Sequence, residues 1–297
     1  MGVSIGSFIE CKNLRRSVRF WRFFCFFVFI VFLVSYSLLL KGSFKLSRDN
    51  VVLMNINGMI FEDTSRNEAL LEIANDDKVK ALIVNLNSPG GTVVGGETLY
   101  NYLKKVSENK YLVVVMKEQA ASGAYMAAVA ANHIIAHNGT LTGSIGVLLQ
   151  SFDVSDLLKK VGVKPVIIKS SKLKAVPSPL EPLDSESELF LSELVGDSFD
   201  LFKEIVISNR SLKKENYGAI FDGRVLTGRQ ALKLGLIDEI GDVEYAKEWL
   251  YSKGIDKNIS YRKVSVKKKI FNFGSLGSVS NLLLNYLAKP LYNSFTF

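Results

Sequence analysis

Two short runs hold residue types that together could cleave an acyl bond. Ser122, in Ala121-Ser122-Gly123-Ala124, directly precedes an Ala-rich stretch that reads as a helix. A serine placed there has its oxygen in the positive end of the helix dipole, and the Gly123 N–H beside it can donate to an oxyanion. An ordinary N-cap serine has the same appearance, and spacing does not choose between the two. The run Asn87-Ser88-Pro89-Gly90-Gly91 occupies a similar corner, after a strand and before a helix. Backbone N–H groups are left unpaired at such a corner. Its two glycines let a substrate backbone come close and let a peptide N–H aim at developing negative charge. A plain strand-turn-helix connection needs no more than these residues either.

A serine nucleophile needs a base. The two histidines, His133 and His137, flank a short strand-like run at residues 134–136, and no orienting acid is evident for either. They read as residues at the ends of that strand rather than as triad members. A lysine serves equally well if burial or neighbouring acceptors keep it neutral. Lys169, Lys172 and Lys174 all lie in a loop over residues 169–183 that also contains Pro177, Pro179 and Pro182. Residue types alone leave the choice among them open. The sequence has no Cys/His cluster with ligand spacing, so neither metal nor other cofactor is expected.

These residues must be positioned by alternating elements. Strands are predicted at 51–56, 81–86, 111–116 and 134–136, and helices at 67–74, 92–106 and 122–131. That alternation implies an α/β fold with parallel crossovers. Asp184, Glu186 and Glu188 favour the start of a long helix over 184–209. Short helices at 227–234 and 243–250 flank a strand-like run at 236–240.

Charge and hydropathy divide the chain further. Residues 1–48 and 251–297 each hold eight Lys/Arg against one acid, so of the net +8 the middle carries about −6. A broad nucleic-acid surface on the centre is thereby disfavoured, and both ends suit anionic lipid. Residues 23–40 form an uncharged apolar run long enough to span a bilayer, and the basic residues cluster before it. The expected organisation is a cytoplasmic basic segment (1–22), a transmembrane helix (23–40), an extracytoplasmic domain (41–255) and a basic and apolar tail (256–297). A cleavable signal peptide competes with a retained anchor, because Ser35-Tyr36-Ser37 offers a small-x-small site. The only cysteines, Cys11 and Cys25, precede the domain.

Four ordered blocks resemble the signal peptide peptidase A family of short bacterial type. They are residues 52–60 (VLMNINGMI), 85–91 (NLNSPGG), 120–147 (AASGAYMAAVAANHIIAHNGTLTGSIGV) and 222–241 (DGRVLTGRQALKLGLIDEIG). The resemblance implies a ClpP/crotonase-like spiral of ββα units, with Ser122 as nucleophile and Lys174, just ahead of Ser178-Pro179, as general base. It further implies that Ser144 orients the lysine and that Gly91 and Gly123 supply oxyanion N–H groups. It also implies a homo-oligomeric ring in the bacterial inner membrane, with serine and lysine meeting across a subunit boundary, that degrades residual signal peptides. Ala124-Tyr125-Met126 and Asn138 depart from the usual family pattern, and an effect on the substrate groove is expected of them. A catalytically silent membrane scaffold and a crotonase-type acyl-CoA enzyme are the rival readings of such a fold.

Overall fold

The computed structural model describes residues 21–36, 49–264 and 295–296. The chain divides into two units, residues 1–48 and 49–297. In the first, residues 21–36 form helix α1 with every side chain exposed. Among the described residues no helix is long and apolar enough to cross a membrane. The rest of the expected anchor, residues 37–40, lies outside the described residues, as do the cytoplasmic segment over 1–20 and most of the basic tail.

The second unit is built on a mixed sheet. Strands β1 (Asn50–Asn57), β2 (Val79–Ser88) and β3 (Tyr111–Ala121) run parallel in the order β3-β2-β1. Helices α2 (Thr64–Asn75) and α3 (Val93–Asn109) make the crossovers. Consecutive apolar residues such as Ala81-Leu82-Ile83-Val84 are buried on both sides, as expected for a strand covered on two faces. One face packs Val52, Leu82 and Val114 with residues including Leu99 and Leu103 of α3. The other packs Val51, Ile83 and Val113 with Ala246 and Leu250 of the helix Val243–Ser252.

β3 is longer than predicted and forks the sheet. Its first half pairs with β4 (His133–Ala136), and its last three residues pair with β5 (Leu141–Gly143). The polar stretch Lys117-Glu118-Gln119 looked like the end of a strand. It stays extended because β5 lies alongside and because Asn87 Oδ1 accepts the Gln119 N–H at 3.3 Å. The helix after Ser122 is shorter than expected, covering α4 (Gly123–Ala128).

Other edges come from short segments without sequence periodicity. β7 (Val225–Thr227) lies antiparallel to β5 and β8 (Glu239–Ile240) lies beside β4, while β6 (Leu148–Leu149) and β10 (Phe295–Thr296) pair in a separate two-stranded sheet. β9 (Ser260–Val264) extends the sheet in parallel with β1, so part of the segment read as tail is an edge strand. Helix α5 (Ser155–Lys160) was also not foreseen. The long helix is α6 (Ser185–Asn209), where Asp184 caps the start by accepting the Ser187 N–H at 2.8 Å.

Candidate active site

Ser122 lies between the end of β3 and the start of α4 at φ 55°, ψ −125°. Few non-glycine residues adopt that backbone, and strand-to-helix elbows of this kind present a nucleophile at a sheet's carboxyl edge. A neighbouring strand and the following helix hold the elbow: the Ser122 N–H donates to the Gly143 carbonyl at 2.9 Å, and the Met126 N–H donates to the Ser122 carbonyl at 3.0 Å. The side chain does not cap α4. Ser122 is 2% exposed, and its Oγ has no hydrogen-bond partner among the described residues. The structure therefore disfavours the N-cap reading of this residue.

The Gly90-Gly91 corner packs directly on the elbow. A Cβ on Gly90 would stand 3.0 Å from Ser122 Cβ and 3.1 Å from the Gly123 nitrogen, and Gly90 has φ 110°. A Cβ on Gly91 would lie 1.8 Å from the Ile60 carbonyl oxygen, so no side chain fits there. Ile60 is wired into the corner on both sides: its N–H donates to the Gly90 carbonyl at 2.8 Å, and its carbonyl accepts the Thr92 N–H at 3.1 Å. Ile60 and Gly91 thus form an isolated parallel bridge. Gly96 of α3 touches Gly123, where a Cβ would come within 3.1 Å of the Gly123 Cα. Small residues thus set the separation of the two N–H groups expected to hold an oxyanion.

Ile60 and Gly96 were not singled out in the sequence. Gly95-Gly96 inside a predicted helix carried the usable signal, since a glycine there costs about 1 kcal/mol relative to alanine and implies a packing reason.

Ser144 follows β5 at φ 48°. Ala121 pairs with Gly143, so Ser122 and Ser144 are the next positions along two neighbouring strands. The Ser144 N–H donates to the Arg224 carbonyl at 2.8 Å.

The lysine loop is fixed in part. Lys169 pairs with Glu181 at 2.6 Å. Lys172 bridges Asp184 at 3.0 Å and Glu186, and these contacts, Glu186 first, raise its pKa above the ordinary lysine value. A lysine held charged in this way is a poor general base. Lys174 is exposed and has no carboxylate partner among the described residues, and its N–H donates to the Ser171 carbonyl at 3.2 Å. Within one chain the structure does not bring it to hydrogen-bonding distance of the Ser122 oxygen.

The histidines sit elsewhere. His133 pairs with Val113, at the opposite end of β3 from Ser122. It stacks on Trp249 with ring centroids 4.8 Å apart, and its Nε2 lies 3.0 Å from Glu239. It therefore does have an acid partner, contrary to the sequence reading, but far from the serine. The family departures Ala124, Tyr125 and Met126 are fully buried core residues, not groove residues. The Tyr125 hydroxyl donates to the Leu236 carbonyl at 2.8 Å.

A largely apolar pocket of about 850 Å³ opens beside this region, lined by residues including Ile145, Leu149, Pro177, Ser178, Leu191 and Phe199. Neither Ser122 nor Lys174 lines it, although it begins one residue past Ser144 and three past Lys174. Among the described residues no group of His, Cys, Asp and Glu side chains could hold a metal ion.

The parallel sheet, the glycine corner and the serine elbow define a ClpP-like fold of the serine peptidase class, and residues 46–138 match the Clp protease family. Residues 104–255 match peptidase family S49, and the chain belongs to that family. It is 39% identical over 209 residues to a candidate protease of Synechocystis, covering 69% of this chain and 75% of that one. A candidate signal peptide peptidase of Enterococcus faecium is 30% identical over 218 residues, covering 69% and 63%. Protease 4 of Haemophilus influenzae is 31% identical over 208 residues; the match covers 67% of this chain and 34% of that protein.

Proposed function

We propose that this protease is a membrane-anchored endopeptidase with a Ser122/Lys174 dyad that degrades residual signal peptides and other membrane-associated peptides. Neutral Lys174 Nζ accepts the Ser122 Oγ proton as the oxygen bonds to the scissile carbonyl carbon. The Gly91 and Gly123 N–H groups stabilise the oxyanion. Collapse of the adduct breaks the C–N bond, and the proton passes from lysine to the leaving amine. Water, deprotonated by the same lysine, then attacks the acyl carbon, and as the ester C–O bond breaks the lysine returns that proton to Ser122 Oγ and the acid is released. Ser144 orients the lysine.

The observation that supports this reading is the contact of the Gly90-Gly91 corner with the Ser122 elbow: a Cβ on Gly90 would meet Ser122 Cβ at 3.0 Å and the Gly123 nitrogen at 3.1 Å, next to a buried hydroxyl with no partner among the described residues. The apolar pocket suits the hydrophobic core of a signal peptide. Residues 23–40 anchor the chain in the bacterial inner membrane, with the N-terminus cytoplasmic and the peptidase unit outside. Protomers form a ring in which the lysine of one subunit reaches the serine of the next.

The test is cleavage of a labelled signal peptide by the full chain in detergent, with Ser122→Ala as control. Hydrolysis by the parent that vanishes in the variant is expected. No hydrolysis by the parent favours the silent scaffold instead.

A further inference from the structure

The loop between β1 and α2 is laced to the oxyanion corner along its length. The Gly58 N–H donates to the Asn87 carbonyl at 3.0 Å, and Ile60 bonds to both Gly90 and Thr92 as described above. The next residue, Phe61, has its carbonyl held by Arg66 Nη2 at 3.1 Å. Arg66 is 6% exposed, although arginine is rarely buried to this extent. Its other acceptor is Asn67 Oδ1 at 3.4 Å, and its Nε has no partner among the described residues. Burial lowers the guanidinium pKa, partly offset by Asp63 and then Glu62. A cation buried with so few acceptors is a costly way to fill space, since an apolar side chain of similar length packs without that penalty. What the guanidinium supplies is a donor for the Phe61 carbonyl, one peptide away from the residue that brackets Gly91.

We infer that Arg66 is a positioning residue for the oxyanion corner: by pinning the Phe61 carbonyl it fixes the Ile60 ladder, and so fixes where the Gly91 N–H points. This rests on the peptidase reading above. Arg66 touches neither substrate nor Ser122, and acts through backbone.

The test compares full-length Arg66→Met, which keeps the apolar stem, and Arg66→Lys, which keeps charge and one donor, with the parent. Losing an oxyanion donor outright costs about 10²–10³ in kcat, so a loosened donor in Arg66→Met is expected to cost about tenfold, with KM within about twofold. Affinity for a peptide boronate, which forms a tetrahedral adduct, falls in the same proportion, whereas affinity for a product peptide does not change. Hydrogen exchange of peptides spanning 58–62 and 89–96 speeds up while that of 111–121 does not. Arg66→Lys lies between Arg66→Met and the parent. Parent-like kcat and boronate affinity in Arg66→Met, or unchanged exchange at 89–96, overturns the inference. If Arg66→Met does not fold, Arg66→Lys is judged by the same criteria. If the parent cleaves nothing, the peptidase reading falls and exchange alone decides whether Arg66 holds the corner.

Discussion

Ser122 holds a left-handed backbone that costs about 1–3 kcal/mol for a non-glycine residue, and it is kept there by Gly143 on one side and by the absent side chain of Gly90 on the other. The corner tolerates no added atom. Gly91→Ala would place a methyl group 1.8 Å from the Ile60 oxygen, so the two segments must part. The expected result is loss of peptide hydrolysis together with a lower melting temperature, read by thermal denaturation; parent-like values for both would show that the corner yields cheaply. The lysines separate just as sharply. Lys172→Ala removes an ammonium already committed to Asp184 and Glu186, and kcat/KM should stay within about fivefold, whereas Lys174→Ala should lose about 10²–10⁴-fold, the worth of a general base. Initial rates on one signal peptide, compared across the two variants, decide the assignment. From sequence the three lysines of the loop were equivalent, because the carboxylates that disqualify Lys172 lie 12 and 14 residues downstream and only the fold brings them back.

At the level of elements, the start of α6 shows how the lysine loop is held. Asp184 caps the helix through the Ser187 backbone N–H, which is the largest cause of its pKa falling from 3.8 to about 2; the Ser187 side chain and Lys172 lower it further. Its folded pKa lies below its unfolded one, so the stabilisation is fully present above about pH 4 and is lost as pH falls towards 2. Asp184→Ala should remove that part of the acid sensitivity, so melting temperatures of variant and parent should converge as pH is lowered from 5 to about 2. A constant gap across that range would show that the cap does not titrate as described. Elements of this kind were legible where one local rule governed them. β1 and β2 were foreseen from their apolar runs, α3 from Leu99 and Leu103 one turn apart, and α6 from the carboxylates at its start. β5, β7 and β9 span three to five residues each, and they are strands only because β3, β5 and β1 offer free edges. The positive φ of Ser144, just past β5, had no sequence mark of its own.

For the whole molecule, the decisive fact is that, among the described residues, one chain holds an elbow without a base and a lysine without a carboxylate partner. Ser122 Oγ is buried with no hydrogen-bond partner among the described residues, and Lys174 stands exposed in a loop whose other lysines are paired with carboxylates. The closed ring proposed above, with heterologous contacts, would resolve both, since each protomer would lend its lysine to the next and receive one in return. That arrangement makes a prediction no single-chain site can match. Ser122→Ala protomers still carry Lys174, and Lys174→Ala protomers still carry Ser122, so a mixed ring contains junctions with both groups intact. With equal amounts and random order, about one junction in four is complete, and activity should recover to about a quarter of the parent level after the two inactive proteins are dissociated and reassembled together. Neither variant alone should show it. If mixing restores nothing while size analysis shows mixed rings, serine and lysine must meet within one protomer, and the loop over residues 169–183 would have to fold back towards its own elbow.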